Sequence, residues 1–219
     1  YKYMAPELGT FLHDEGYISP TGRRFKMWTF SNIHAKLVKD TRVNCFIVPT
    51  TFNVTVASSD KAVVESIVNN MFSDDNITIN NVRVNVSASV KAKQNITSDT
   101  VIFRTLSPIT EYSTLELPNG KKLTHYYCPM EEQFSELIFN NLNSKYHILN
   151  GEYSPEHVFK IFPAGKCREH IIVYKDTVIK AWSGTYKMIA HPKLIEVALN
   201  CGLGAKSSQG FGCIEIVDL

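Results

Sequence analysis

Residues 192–217, PKLIEVALNCGLGAKSSQGFGCIEIV, hold a helix, a glycine-rich segment and a closing strand in one run. Pro192 stands in the first turn and Gly202 just past the last periodic residue, the asymmetry that brackets a helix. Working backwards, 157–162 continuing through 171–174 and then 178–189 are β-rich, and 131–142 is amphipathic, with Phe134, Leu137, Ile138 and Leu142 on one face. Before these lie a hairpin-like excursion around Pro118-Asn-Gly-Lys121 and a strand over 101–109. The second half therefore spells strand, helix, strand, strand, helix, strand, the ferredoxin-like βαββαβ order.

The first half repeats that layout. Leu8, Phe11 and Leu12 fall at helical spacing over 6–14, with Gly16 as the stop signal. Residues 25–30 alternate, Phe25, Met27 and Thr29 on one face and Lys26, Trp28 and Phe30 on the other, as in a strand. Residues 43–57 form a second strand, bent or at an edge because of Pro49. Ser59 or Asp60 caps a helix over 61–72, and the alternation over 77–90 predicts one long strand. Residues 91–99 are polar without periodicity and mark a linker, dividing the chain into 1–95 and 96–219. The fold class expected is α+β, tandem ferredoxin-like (RRM-like) βαββαβ domains, the first truncated at its N-terminus. The chain starts at Tyr1 rather than Met, in keeping with an opening strand that precedes it.

Composition sets the class. Of 219 residues 44% are hydrophobic and 20% charged, which excludes a disordered or fibrous chain. The net charge is only +2, so an anion-binding surface has to come from local clustering. Cys45, Cys128, Cys167, Cys201 and Cys213 are odd in number and widely spaced, and read as free thiols of a cytoplasmic protein. In such a protein the Asn-x-Ser/Thr triplets at Asn53, Asn76, Asn85 and Asn95 are chance occurrences. No apolar run is long enough to span a bilayer, so no membrane partner is expected. His125, Cys128, His147, His157 and His170 lack ligand spacing, and neither a metal nor another cofactor is expected.

Two segments carry chemistry. The glycine segment is neither a Walker A loop, since Ala205 precedes Lys206, nor a dinucleotide fingerprint, since Ser207 stands where the third glycine belongs. Both of those motifs also run from strand to helix, and this one runs from helix to strand. Gly202, Gly204, Gly210 and Gly212 with Lys206 could form a backbone nest for a phosphate. They serve equally as a helix cap followed by close packing. His13, at a helix end, precedes Arg23, Arg24 and Lys26, a set suited to phosphodiester cleavage in which one group moves a proton and cations hold the developing charge. A surface histidine at the negative end of a helix dipole is the plainer reading.

Three segments, Leu12-His-Asp-Glu-Gly16 leading to 25–31, Thr105-Leu-Ser-Pro-Ile109, and Gly202-Leu-Gly with Gly210-Phe-Gly212, resemble in order and separation the CRISPR-associated endoribonucleases that cut precursor CRISPR RNA within its repeats. These belong to the repeat-associated mysterious protein superfamily, and the resemblance covers nearly the whole chain. It implies metal-independent cleavage by attack of a ribose 2′-hydroxyl on the adjacent phosphate, leaving a 2′,3′-cyclic phosphate and a 5′-hydroxyl. It implies His13 as general acid/base and Lys26 as the transition-state cation, with Arg23, Arg24, Lys166, Arg168, Gly202, Gly204, Lys206, Gly210 and Gly212 contacting RNA. The family also uses a tyrosine on its first helix, which aligns with neither Tyr1 nor Tyr3. CRISPR repeat RNA is the implied partner; other proteins of a CRISPR interference complex and a second copy of the chain are further partners it admits. A non-cleaving CRISPR-RNA scaffold of the same superfamily and a tandem ferredoxin-like metabolite sensor are the competing readings.

Overall fold

The computed structural model describes residues 1–218 apart from 36–37, 43–44, 48–50, 75, 80–81, 92–93 and 156–157, with the backbone alone at 38–39 and 45–47. His157, Pro49, the side chain of Cys45 and parts of the strand expected over 43–57 and of the linker lie outside the described residues.

In the first half, α1 (Pro6–Thr10) runs into a π-helical turn, Phe11–Glu15, closed where the Gly16 N–H donates to the Phe11 carbonyl five residues back, at 2.7 Å. A short hairpin follows, β1 (Tyr17–Ile18) with β2 (Arg24–Phe25), then β3 (Trp28–Phe30), β4 (Val38–Asp40), β5 (Cys45–Ile47) and β6 (Val56–Ser58). β3 pairs antiparallel with β6, and β4 with β5. Helix α2 (Lys61–Ser73) is capped by Asp60, whose carboxylate accepts from the Ala62 N–H at 2.9 Å. The chain then folds into β7 (Thr78–Ile79) and β8 (Val82–Arg83).

Two expectations for this half change. The alternation over 77–90 belongs in part to two arms of a hairpin, since Thr78 pairs with Arg83, and not to one strand. The strand expected over 25–30 is broken in its middle, because Met27 adopts φ 57 and both Met27 and Trp28 are buried. A left-handed residue cannot continue a pleat. The Met27 carbonyl is held by Ser58 Oγ at 2.8 Å and by the Ser59 N–H at 3.3 Å.

The second half is β9 (Thr100–Thr105), β10 (Tyr112–Glu116), β11 (Lys122–Tyr126), α3 (Glu132–Asn150), β12 (Lys160–Pro163), β13 (Arg168–Tyr174), β14 (Thr177–Ser183), β15 (Thr185–Ile189), α4 (Pro192–Cys201) and β16 (Ile214–Asp218). Its antiparallel sheet has the order β12-β15-β9-β16, which is the ferredoxin-like order, with α3 and α4 as the two crossovers. Phe134, Ile138, Leu142 and Tyr146 of α3 and Leu194, Ile195 and Ala198 of α4 pack with Phe103, Ile161, Tyr186 and Met188 of the sheet in one core. Burial of side chains this size, each worth roughly 1.5–3 kcal/mol, is what holds the helices on the sheet.

Two hairpins stand off this frame, β10–β11 and β13–β14. The two long β stretches expected over 157–189 are thus four strands. The break between β14 and β15 is Gly184, whose N–H donates to Thr105 Oγ1 at 3.1 Å and whose carbonyl accepts from the Thr105 N–H at 3.0 Å. A Cβ there would lie 2.9 Å from the Lys166 carbonyl oxygen, so a glycine lets the chain pass from hairpin to sheet. Ile96, within the expected linker, is buried in the core of the second half.

The two halves meet through β3. Thr29 Oγ1 donates to the Phe211 carbonyl at 3.1 Å, Ser107 Oγ donates to the Phe30 carbonyl at 3.1 Å, and Phe25 and Met27 enter the large core.

Candidate functional site

His13 sits within the π-helical turn, its side chain 71% exposed. Turns of this kind widen a helix by one residue and re-aim the side chains they carry. Its Nδ1 lies 2.5 Å from Asp14 Oδ1. A carboxylate can only accept, so Nδ1 holds the proton in this pair and Nε2 is the nitrogen able to take one.

Lys26 reaches the same turn from the far side of the β1–β2 hairpin, and its Nζ donates to the His13 carbonyl at 2.9 Å. Gly16, at φ 68, makes that approach possible: a Cβ there would lie 2.6 Å from the Phe25 carbonyl oxygen and 3.1 Å from Lys26 Nζ. Partial burial, followed by the nearby Arg24, holds the Lys26 ammonium below the usual lysine range, and Asp14 opposes the shift. Arg24 Nη1 donates to the Asp14 carbonyl at 2.5 Å, and Arg23 lies over the Phe25 ring at 5.2 Å. His13, Arg23, Arg24 and Lys26 are therefore gathered around one turn and one hairpin.

Tyr1, assigned no role from sequence, meets the His13 ring edge-on with centroids 5.7 Å apart. Sequence spacing hid it, because the helix it precedes is short and turns into a π turn before His13. From Tyr1 an aromatic row runs to Trp28 at 6.0 Å, and from Trp28 to the stacked Phe30 at 5.4 Å. It ends at the glycine segment, where a Cβ on Gly210 would lie 3.0 Å from Phe30 Cε2.

All four glycines of that segment have positive φ, and all four are packed against neighbouring atoms, Gly210 against the Phe30 ring and the other three as follows. A Cβ would lie 2.9 Å from Thr29 at Gly202, 2.6 Å from the Thr110 carbonyl at Gly204 and 1.9 Å from the Leu203 carbonyl at Gly212. The amides of Gly202, Leu203, Ala205 and Gly212 donate to backbone carbonyls. These glycines thus have a packing reason, and the part of the segment that reaches solvent narrows to Lys206 and 208–210, with Gln209 exposed and Ser207 buried between them. There Lys206 adopts φ 60 and sets its ammonium over the Tyr112 ring at 5.3 Å.

The segment 105–109 joins the others in space. The Leu106 and Ser107 N–H groups donate to the Cys213 carbonyl, and Pro108 accepts from the Gly212 N–H at 2.8 Å. Lys166 and Arg168 stand elsewhere, exposed at the root of the β13–β14 hairpin, where Arg168 pairs with Ser183. Among the described residues no hydrogen bond or ion pair joins their side chains to His13 or to the glycine segment, although the same hairpin packs Ile172, Ile179 and Ala181 with Phe211, and no three His, Cys, Asp or Glu side chains come together as a metal site would require. None of the described helices is long and apolar enough to cross a membrane.

Comparisons with known proteins bear on this arrangement. A relative named CRISPR-associated endoribonuclease Cas6 1, from Methanocaldococcus jannaschii, is 25% identical over 201 residues, covering 90% of this chain and 76% of that protein. The structure of a Cas6-related protein from Pyrococcus furiosus has a TM-score of 0.80 at 21% identity, over 97% of this chain and 83% of that one. A structure described as a RAMP protein binding different RNA substrates has a TM-score of 0.80 at 18% identity, over 97% of this chain and 85% of that one. The fold is shared with both, which supports the tandem ferredoxin-like α+β class. The family model described as CRISPR associated protein Cas6, C-terminal, matches residues 90–216. With more than half of its length matched by that model, the chain belongs to the Cas6 family of CRISPR-associated proteins.

Proposed function

We propose that this protein is a metal-independent endoribonuclease that cuts precursor CRISPR RNA within its repeats. The observation that carries the reading is the His13 group: an exposed imidazole with Nδ1 engaged by Asp14 and the Lys26 ammonium anchored on the same turn. In the reaction a ribose 2′-hydroxyl loses its proton and its oxygen attacks the adjacent phosphorus. The bond from phosphorus to the 5′-oxygen breaks, and that oxygen takes a proton. The products are a 2′,3′-cyclic phosphate and a 5′-hydroxyl. His13 Nε2 serves as general acid/base, and Lys26 and Arg24 supply positive charge where the phosphorane oxygens gain negative charge. The Tyr1 ring against His13 offers a second proton-bearing group at the same point.

The RNA backbone is held by Arg23 and Arg24 beside the cut and by the part of the glycine segment that reaches solvent, Lys206 and 208–210. The remaining glycines act by setting that shape, and Lys166 and Arg168 meet the RNA farther away. A-form stems are read through shape and phosphates, so a local basic patch suffices at a net charge of +2. On this reading residues 1–95 carry the chemistry and 96–219 the glycine segment.

The test is cleavage of the native repeat RNA in excess EDTA, with product ends read by mass spectrometry. Cyclic-phosphate and 5′-hydroxyl ends are expected. A requirement for added divalent cation, a 5′-phosphate product, or binding without cleavage overturns the reading. Lys26→Met, which keeps the aliphatic stem and removes the charge, is expected to slow single-turnover cleavage by roughly 10²-fold, the scale of losing one group that stabilises the developing charge.

A further inference from the structure

Lys145 is a lysine in a place where lysines are rare. It lies on α3 with 1% of its surface exposed, and its Nζ donates to the carbonyls of Gly202 at 2.7 Å, Cys201 at 3.3 Å and Gly204 at 3.4 Å. Those of Cys201 and Gly202 belong to the C-terminal end of α4, where orphan carbonyls concentrate negative charge and a cation is favoured. The carbonyl of Gly204 lies inside the glycine segment itself. One ammonium thus pins three carbonyls of the buried run 201–205, directly before Lys206 and the part of the segment that reaches solvent.

A buried cation that only filled space would be replaced at lower cost by a methionine, because removing an ammonium from water is expensive. Here that cost is met by three acceptors on a segment whose glycines already fix its path. The charge is also connected to the RNA-facing surface. Glu111, 1% exposed, is pushed up to about 7 by burial, against the pull of Arg23 and Lys145. Lys145, itself lowered to about 8 by burial, is opposed in that shift by Cys201 and Glu111 and assisted by Arg23. Burial also raises the Cys201 thiol, against the pull of Lys145.

We propose that Lys145 is a positioning residue for RNA binding: its ammonium sets the glycine segment so that Lys206 and 208–210 meet the RNA backbone, without touching the RNA or the reacting atoms. The inference rests on the proposed function for its ligand, a phosphodiester backbone, and leaves the chemistry at His13 unaffected.

The test compares Lys145→Met with the parent chain, both in a His13→Ala background that leaves the RNA intact. Folded fraction is checked by circular dichroism, and repeat-RNA affinity is measured by fluorescence anisotropy over a salt series. The expected result is a Kd raised at least about 10-fold and a slope of log K against log salt reduced by about one, as when one phosphate contact is lost. In the His13-containing protein, the same substitution should leave the cleavage rate at saturating enzyme within about threefold. The parent Kd should also rise between pH 7 and pH 9, as Lys145 loses its proton, and this rise should vanish in Lys145→Met. A folded Lys145→Met variant with unchanged Kd and salt slope overturns the proposal. Should the variant fail to fold, Lys206→Met decides: an unchanged Kd and salt slope there would mean that the segment Lys145 holds does not meet the RNA backbone, and overturns it. Wild-type binding without cleavage removes the nuclease reading and leaves this comparison intact, whereas absence of RNA binding removes both.

Discussion

His13→Ala is expected to slow single-turnover cleavage of repeat RNA in EDTA by about 10²–10⁴-fold, the range for removing a positioned proton-transfer group. RNA affinity should stay within about threefold, because the imidazole is 71% exposed and packs on a single ring, Tyr1. Stability should change little for the same reason, since surface substitutions outside caps and cores fall within about 0.5 kcal/mol. The measurement is rate at saturating enzyme beside Kd by anisotropy. A variant that binds and cuts as the parent does would remove His13 from the mechanism. A variant that neither binds nor cuts would assign it to RNA contact instead.

The largest loss of stability is expected at Gly212→Ala. Its φ of 71 alone costs a non-glycine residue roughly 1–2 kcal/mol. The decisive effect is the second one: a Cβ would stand 1.9 Å from the Leu203 carbonyl oxygen and 2.9 Å from the Leu203 nitrogen, all backbone atoms that no rotamer change can move. The Gly212 carbonyl accepts from that same Leu203 N–H at 2.8 Å, so relief of the clash breaks the bond that closes the segment. A loss above about 4 kcal/mol follows, in the range reserved for steric disruption of a core. Gly120→Ala is the control, with a similar φ of 74 and nothing within 4 Å of the added carbon, and should lose only the backbone cost. Thermal unfolding of the two variants checks this. Equal melting temperatures would mean that the segment relaxes freely and that its packing is not tight.

Much of the fold was legible because the second half obeys local rules. Pro192 and Gly202 bracket α4 as read from sequence, and the βαββαβ order is the one the sheet adopts. Helix α3 runs eight residues beyond the expected end, to Asn150, since its buried stripe continues through Lys145 and Tyr146. A charged side chain in an apolar stripe cannot be told from a surface lysine by periodicity; only the carbonyls brought near it by α4 give it a partner. The break at Met27 was equally hidden, because the left-handed turn there is held from β6 and its flank by Ser58 and Ser59 and not by any local signal.

At the site, the cluster of His13 with Arg24 and Lys26 follows from chain proximity, and sequence shows it. The packing of Gly202, Gly204 and Gly212 against Thr29, Thr110 and Leu203 is tertiary for the first two, and a glycine looks the same in sequence whether it approaches a ligand or another stretch of backbone. Tyr1 came into view only once the π turn had set the direction of His13.

The β13–β14 hairpin joins the four-stranded frame through short connections: four residues, 164–167, on one side and Gly184 alone on the other. Lys175 and Asp176, with φ 45 and 61, turn its tip without help from the frame. Adding two residues to each arm would carry the tip outward by roughly 7 Å at the rise of a strand, while every bond in the sheet and around His13 stays as it is. On the proposed function the ribbon is an adjustable arm on a fixed tool head: its length would set how far from the cut the molecule touches a long RNA, and that length can be varied without retuning the chemistry.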